Sequence, residues 1–371
     1  MFLALREIRR AKTRFALLVA AVALLVFLIL TQQALQNGLI SSFVGAIKRQ
    51  SAPVLVFAVD GQRTLQGSVI TPALQKAIES APGVAETGRI GQGTFTVVVG
   101  KAAQSDAALI GYEKRQLGGP DRLSAGRMPA APGEAVGSTG DFSLSDRVRV
   151  VGPGKTVELS VVGLTDNARI QVSPTLFLAW PDYLAATRSF NPDAKTILPS
   201  VIGVRPVPGL SARALTTQID RTSADADALT RDQAAEKAPG VAAVRNSFNL
   251  IFLLFALVVP LVTGLFFLII TLQKAHALTL LRAIGAPAGL LVRSLLAQAL
   301  IVIGGGIALG TVLFFPLSQA KVGKLSLSFD PAAVLFWAAL LLTLGLLSAL
   351  VAARRVLAID PVQASTGGGA R

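Results

Sequence analysis

Cysteine is absent from the 371 residues, histidine occurs once, and tyrosine, tryptophan and methionine occur twice each. Without cysteine there are no disulfides and no metal-thiolate chemistry. With its one histidine at position 276, the chain can build neither a His-based metal site nor a His-containing triad by itself. Charge is scarce too, at 15% of residues. It is missing altogether from Phe248 to Leu272 and from Ala332 to Ala353, and only Arg293 interrupts Leu290 to Phe315. Proton- and ion-coupled carriers keep ionisable groups inside the membrane, so a self-powered secondary carrier is not expected.

What the chain has instead is apolar length. Four runs, Phe15 to Thr31, Phe248 to Leu272, Leu290 to Phe315 and Ala332 to Ala353, each approach the roughly 20 residues that a helix needs to cross a bilayer. In lipid such runs must satisfy their own backbone, so they are read as spanning helices, and an even number returns the chain to its starting side. Basic residues decide which side. Arg6, Arg9, Arg10, Lys12 and Arg14 precede the first run, Lys274, Arg282 and Arg293 follow the second, and Arg354 and Arg355 follow the last. The positive-inside rule puts all of them in the cytoplasm. The reading is a cytoplasmic amphipathic segment at 1–14, spans at 15–35, 246–272, 290–315 and 332–353, and an extracytoplasmic domain at 36–245. A cytoplasmic segment at 273–289, an outer loop at 316–331 and a cytoplasmic tail at 354–371 complete it. A cleaved signal peptide is the rival for the first run, but Gln32-Gln33-Ala34-Leu35-Gln36-Asn37 is a poor small-residue cleavage site. The expected location is a bacterial cell membrane, with both termini cytoplasmic.

A net charge of +14 raises the question of nucleic acid. The outer domain carries 22 basic and 18 acidic residues, so most of the excess sits in short segments beside the membrane. Anionic lipid accounts for it, and no nucleic-acid partner is expected.

The outer domain reads as mixed α and β. Strands are predicted at 53–59, 94–99, 147–151, 156–164, 175–180 and 201–207, and helices at Pro72 to Glu79 after Thr71, at 181–187, 211–218 and 225–237. Leu74 to Val84 and Arg231 to Val241 both end in Ala-Pro-Gly-Val, which suggests either two similar lobes or a shared helix stop. Gly152-Pro153-Gly154-Lys155-Thr156 resembles half a phosphate loop, but Arg149 stands where that motif has glycine, and a hairpin turn is the better reading. Ser318-Gln319-Ala320-Lys321 has the spacing of an acyl-serine motif without its partners. No catalytic residue, metal site or cofactor site is assigned to this chain. Gly304, Gly305, Gly306 and Gly310 are candidates for close helix packing, and Pro260 with Gly264 for a bend.

Leu278 to Ala286, Leu-Thr-Leu-Leu-Arg-Ala-Ile-Gly-Ala, resembles the signature that follows the second span in FtsX-like and MacB-like (DevC-like) permeases of ABC transporters, the type VII exporter and mechanotransmission fold. Gly126-Arg127, Pro129, Gly133-Glu134, Asp146 and Val161-Val162-Gly163-Leu164 resemble that family's outer core, and Arg354 to Pro361 its tail. The resemblance spans essentially the whole chain. It implies an α-helical membrane protein with four transmembrane helices (1+3) and a large mixed α+β extracytoplasmic domain between helices 1 and 2. It further implies that Leu280, Leu281, Arg282, Ala283, Ile284, Gly285 and Ala286 dock onto a separate ABC ATP-binding subunit, which holds ATP and Mg. A second permease copy, homodimeric or related, and an envelope adaptor or a cell-wall hydrolase are the other partners implied. The activity expected is coupling of the partner's ATP hydrolysis to movement of the outer domain, for export or extraction of an amphiphilic or lipid-like substrate. The alternative is regulation of a cell-wall hydrolase. Two departures stand out: His276-Ala277-Leu278-Thr279 replaces the family's usual acidic run-in, and Gln298 sits where an acid is often found.

Overall fold

A computed structural model describes residues 12–273, 287–319, 321–322, 325–326 and 330–357. The chain divides into two compact units, Met1–Asn37 with Asn246–Arg371, and Gly38–Arg245.

The first unit is helical. It holds the residues of α1 (Lys12–Arg49) up to 37, those of α6 (Val241–Gln273) from 246, and α7 (Ala288–Ser318) and α8 (Pro331–Leu357). All four are long and apolar enough to cross a membrane, and the protein is a multi-pass membrane protein. Leu254, Leu257, Leu261 and Leu265 on α6 are exposed, a surface that suits lipid and not water. Inside, Phe15, Leu18, Val22, Val26, Ile29 and Leu30 repeat at helical spacing on α1 and pack with Val259, Val302, Ile303, Phe314 and Leu341.

The second unit holds a ten-stranded sheet, among the described residues, built from two arrangements that share a strand. Strand β1 (Val54–Ala58), helix α2 (Pro72–Glu79) and strand β2 (Val84–Val99) form one β-α-β pass, and β9 (Val201–Pro206), α4 (Ala212–Thr222) and β10 (Ala226–Thr230) form another. The strand order β10-β1-β9-β2 is antiparallel throughout, a split β-α-β lobe. Thr71 and Ser211 cap the two helices through their hydroxyls. Leu74, Ile78, Leu215 and Ile219 press on Val54, Val56, Ile202 and Val204 on one face of this sheet. On the other face Ile40, Val44 and Ile47, from the last turns of α1, pack with Leu55, Phe57 and Leu229.

Between β2 and β9 the chain inserts β3 (Ser105–Tyr112), β4 (Ala125–Gly126), β5 (Glu134–Ser138), β6 (Arg147–Val150), β7 (Val157–Thr165), β8 (Thr175–Ala179) and α3 (Trp180–Phe190). Following the ladders gives β2-β3-β8-β5-β7-β6 and then β2 again, because Val97 to Val99 pair with β6. The six strands therefore close on themselves, which removes exposed edges. Val97, Leu109, Val148, Leu159, Leu176 and Leu178 fill the interior, and Trp180 and Tyr183 of α3 join the same core. Burial pushes the Tyr183 phenol up to about 12.

One expectation is corrected here. The helix predicted at 225–237 is strand β10 followed by α5 (Arg231–Glu236), held by a Thr230–Gln233 capping box. Helix α1 runs on beyond the expected span to Arg49, and its final turns lie in a second core. Helix α7 reaches Ser318, and Lys321–Val322 pairs with Leu325–Ser326. The Ala-Pro-Gly-Val echo marks a helix stop and not a duplicated lobe. Gly83 and Gly240 both adopt φ +83°, after which one chain segment enters a strand and the other a helix. Residues 151–156 connect antiparallel β6 and β7, so the glycines there serve a turn.

Candidate functional site

The segment Leu280, Leu281, Arg282, Ala283, Ile284, Gly285 and Ala286 lies outside the described residues, as do 1–11 and the tail from 358. The described chain brackets the segment. Gln273 ends α6, and its Oε1 accepts a hydrogen bond from Arg14 Nη1 at 2.6 Å. Pro287 precedes α7 with extended backbone, as a residue that cannot continue an earlier helix should.

Within the helical unit, the glycine cluster divides by position. A Cβ on Gly306 would lie 2.4 Å from Val22 Cγ1, and one on Gly310 would lie 2.6 Å from Ala23 O. These two glycines, one turn apart on α7, let α1 approach to backbone contact. Gly305 makes only ordinary contact with Val19, and a Cβ on Gly304 meets nothing within 4 Å. A second close crossing joins α6 and α8. Gly264 faces Ser348, whose Oγ donates to Pro260 O at 2.8 Å. Pro260 sits inside α6 without an N–H of its own, so this bond supports a turn whose backbone ladder is already incomplete. Trp337 Nε1 donates to Gln33 Oε1 at 3.4 Å, and the Phe252 ring lies tilted against Trp337 with centroids 5.1 Å apart. Gln298 is 1% exposed.

The second unit contains a feature that the sequence reading missed. The loop from 166 to 174, between β7 and β8, lies as a strap across the last turns of α1. Ala46 N donates to Arg169 O at 3.0 Å, Gln171 N to Phe43 O at 3.0 Å and Val172 N to Ser42 O at 2.8 Å. Gly45 makes room, since a Cβ there would lie 2.1 Å from Asn167 O. Asn167, Gln171 and Val172 all take positive φ, and for branched Val172 at +64° that conformation is strained. The strap is pinned by a buried ion pair: Arg169 Nε donates to Asp141 Oδ2 at 2.6 Å, with side chains 11% and 6% exposed. Ser138 Oγ donates to the same carboxylate at 2.8 Å and accepts from Thr175 N. Only Gly45 and the Asp166-Asn167 turn hint at this in the sequence.

The outer-core residues Gly126, Arg127, Glu134, Asp146 and Val161 to Leu164 meet around β4, β5 and β7. Arg127 pairs with Glu134, whose carboxylate also accepts from Ala130 N at 2.8 Å and Ala131 N at 3.2 Å. The Arg127 side chain, then these amides, hold the Glu134 carboxyl down to about 2. Arg127 N donates to Val162 O, and Val161 N to Asp146 O. Gly163 admits the Arg127 carbonyl, which would lie 2.4 Å from a Cβ there. These residues staple a turn to the closed sheet, and no group of three or more metal-ligating side chains occurs among the described residues.

No protein-family model matches the chain. It is 25% identical over 377 residues to an uncharacterized ABC transporter permease of Mycobacterium tuberculosis, covering 99% of each chain. It is also 23% identical over 380 residues to a putative hemin transport system permease protein, HrtB, of Staphylococcus haemolyticus, again covering 99% of each. The periplasmic region of MacB from Actinobacillus actinomycetemcomitans superposes with a TM-score of 0.35 at 12% identity, over 50% of this chain and 91% of that one, too loosely to carry an argument.

Proposed function

We infer, for a chain that is an ABC transporter permease of the FtsX-like and MacB-like kind, that its work is mechanical. ATP hydrolysis on a separate ATP-binding subunit moves the segment Leu280 to Ala286, and the helices pass that movement to the outer unit. The supporting observation is that α1 contributes to both cores: Val22 and Val26 sit against Gly306 and Gly310 in the helical unit, while Ile40, Val44 and Ile47 lie in the core of the other. A pull on α1 is thus felt by packed side chains at both of its ends.

Full-length likeness to permeases supports a non-catalytic subunit that works with an ATP-binding partner, and the basic segments support cytoplasmic termini. The described spanning helices carry ionisable side chains only near their ends, at Lys12, Arg14, Lys48, Arg49, Arg245, Arg293, Arg354 and Arg355, which favours a cargo path outside the bilayer core. An amphiphilic or lipid-like cargo fits such a path. Hemin, named for the staphylococcal relative, would have to be held in the outer unit without histidine or cysteine, the ordinary axial ligands. The device acts as a pair of permease copies. ATPase activity of the reconstituted complex should fall in Arg282→Glu and Leu281→Asp, together with recovery of the ATP-binding subunit in pull-down. Wild-type activity and wild-type assembly in both variants would sink the coupling assignment.

A further inference from the structure

Helices α7 and α8, joined by a short connection and packed side by side, leave an apolar groove of about 460 Å³ between them, lined by Leu296, Ala297, Leu300, Thr343, Leu347 and Leu350. A groove of this volume accommodates a hydrocarbon chain lying along the two helices. The polar side chain in the lining, Thr343, donates its proton to Ala339 O at 2.7 Å within its own helix, so the wall asks for no polar group in return.

One end of the groove is cationic. Arg293 precedes Leu296 by three residues and Ala297 by four, and Arg354 follows Leu350 by four. At those spacings each arginine lies one turn beyond the groove on the face that lines it. Both are exposed, and neither helix carries an Asp or Glu to neutralise them. Two guanidinium forks beside an apolar channel match a phosphate joined to an acyl chain.

We propose that the α7–α8 groove is a binding site for an anionic phospholipid of the surrounding leaflet, its acyl chain lying along Leu296 to Leu350 and its phosphate held by Arg293 and Arg354. The site stands independently of how the ATP-binding subunit docks.

The full chain, extracted from vesicles of mixed phosphatidylglycerol and phosphatidylcholine, is examined by native mass spectrometry. The wild type should retain phosphatidylglycerol in preference. The preference should fall roughly fivefold for each arginine replaced in Arg293→Gln and Arg354→Gln, since a basic residue at an anionic surface contributes about that much. Ala297→Trp, which fills the groove, should lower retention of both lipids. A second variant reads the site without blocking it: Leu300→Trp, on the exposed rim, should be quenched by chain-brominated phosphatidylglycerol at a lower mole fraction than by the brominated phosphatidylcholine. Equal retention of the two lipids by the wild type, or equal quenching of Leu300→Trp by both, overturns the proposal.

Discussion

The helical unit and the outer unit both bring α1 into close contact with a neighbour through a glycine, yet they lock the contact differently. In the helical unit, Gly306 and Gly310 admit Val22, Ala23 and Val26, and the lock is van der Waals packing. Lipid tails are as apolar as leucine, so close fit and a few hydrogen bonds have to do what the hydrophobic effect does in water. In the outer unit, Gly45 admits the strap, and the lock is three backbone hydrogen bonds and a buried ion pair, Arg169 with Asp141. Water on that side tolerates charge at the surface, and folding then buries one pair whose members are hydrogen-bonded to each other, with Ser138 donating to the carboxylate. One end of α1 is thus held mainly by close packing, while the other is fastened by backbone hydrogen bonds and an ion pair.

The contrast can be broken most severely at the fastening. Asp141→Leu leaves Arg169 without its carboxylate in a buried place and should cost about 3–5 kcal/mol, read as a lower urea midpoint for the outer unit of the full-length protein. Asp141→Glu should recover part of it. Gly306→Leu and Gly45→Val are the next pair, each expected to cost about 1–3 kcal/mol by forcing backbone apart. Gly306→Leu should lower the thermal midpoint in detergent, whereas Gly304→Leu, with nothing within 4 Å of its Cβ, should not. Equal effects at 304 and 306 would deny that α1 and α7 meet where described. Ser348→Ala, which removes the hydroxyl bonded to Pro260 O, should cost only about 0.6 kcal/mol, the usual scale of hydrogen bonds between membrane helices.

The smallest effect is a matter of pH. The Glu134 carboxyl is lowered from its ordinary 4.5 to about 2, so its pairing with Arg127 stabilises the turn fully above pH about 4.5 and is lost as pH falls toward 2. Hydrogen-exchange protection at residues 127–134, taken relative to the intrinsic rate at each pH, should fall over that window in the wild type. In Glu134→Gln protection should be low throughout and no longer depend on this titration. A wild-type profile that stays flat would show that Glu134 titrates normally.

Legibility followed how local each cause was. Thr71-Pro72 announced α2 to the residue, because a cap and a first-turn proline act within one helical turn. Strand β2 was readable only from Thr94. Its first half contains Gly88, Gly91 and Gly93, poor strand formers whose reason is distant: Gly91 gives way to the Tyr183 ring and Gly88 to Leu117. Strand β3, Ser-Asp-Ala-Ala-Leu-Ile-Gly-Tyr, shows no alternation since its inner residues are buried on both faces. At 225–237 a five-residue strand merged with the helix after it, for no local signal separates Thr230 as a strand end from Thr230 as a cap.

The amino-acid sequence alone determined that four segments are long and apolar enough to cross a membrane and are nearly free of charge, because burial in lipid is judged segment by segment from length and composition. Only the tertiary structure decided that six strands close into a ring, that a loop with three residues at positive φ straps α1, and that two of four clustered glycines make room for α1 while one faces open space. Those outcomes rest on pairing between residues far apart in the chain, and no window of sequence contains both partners.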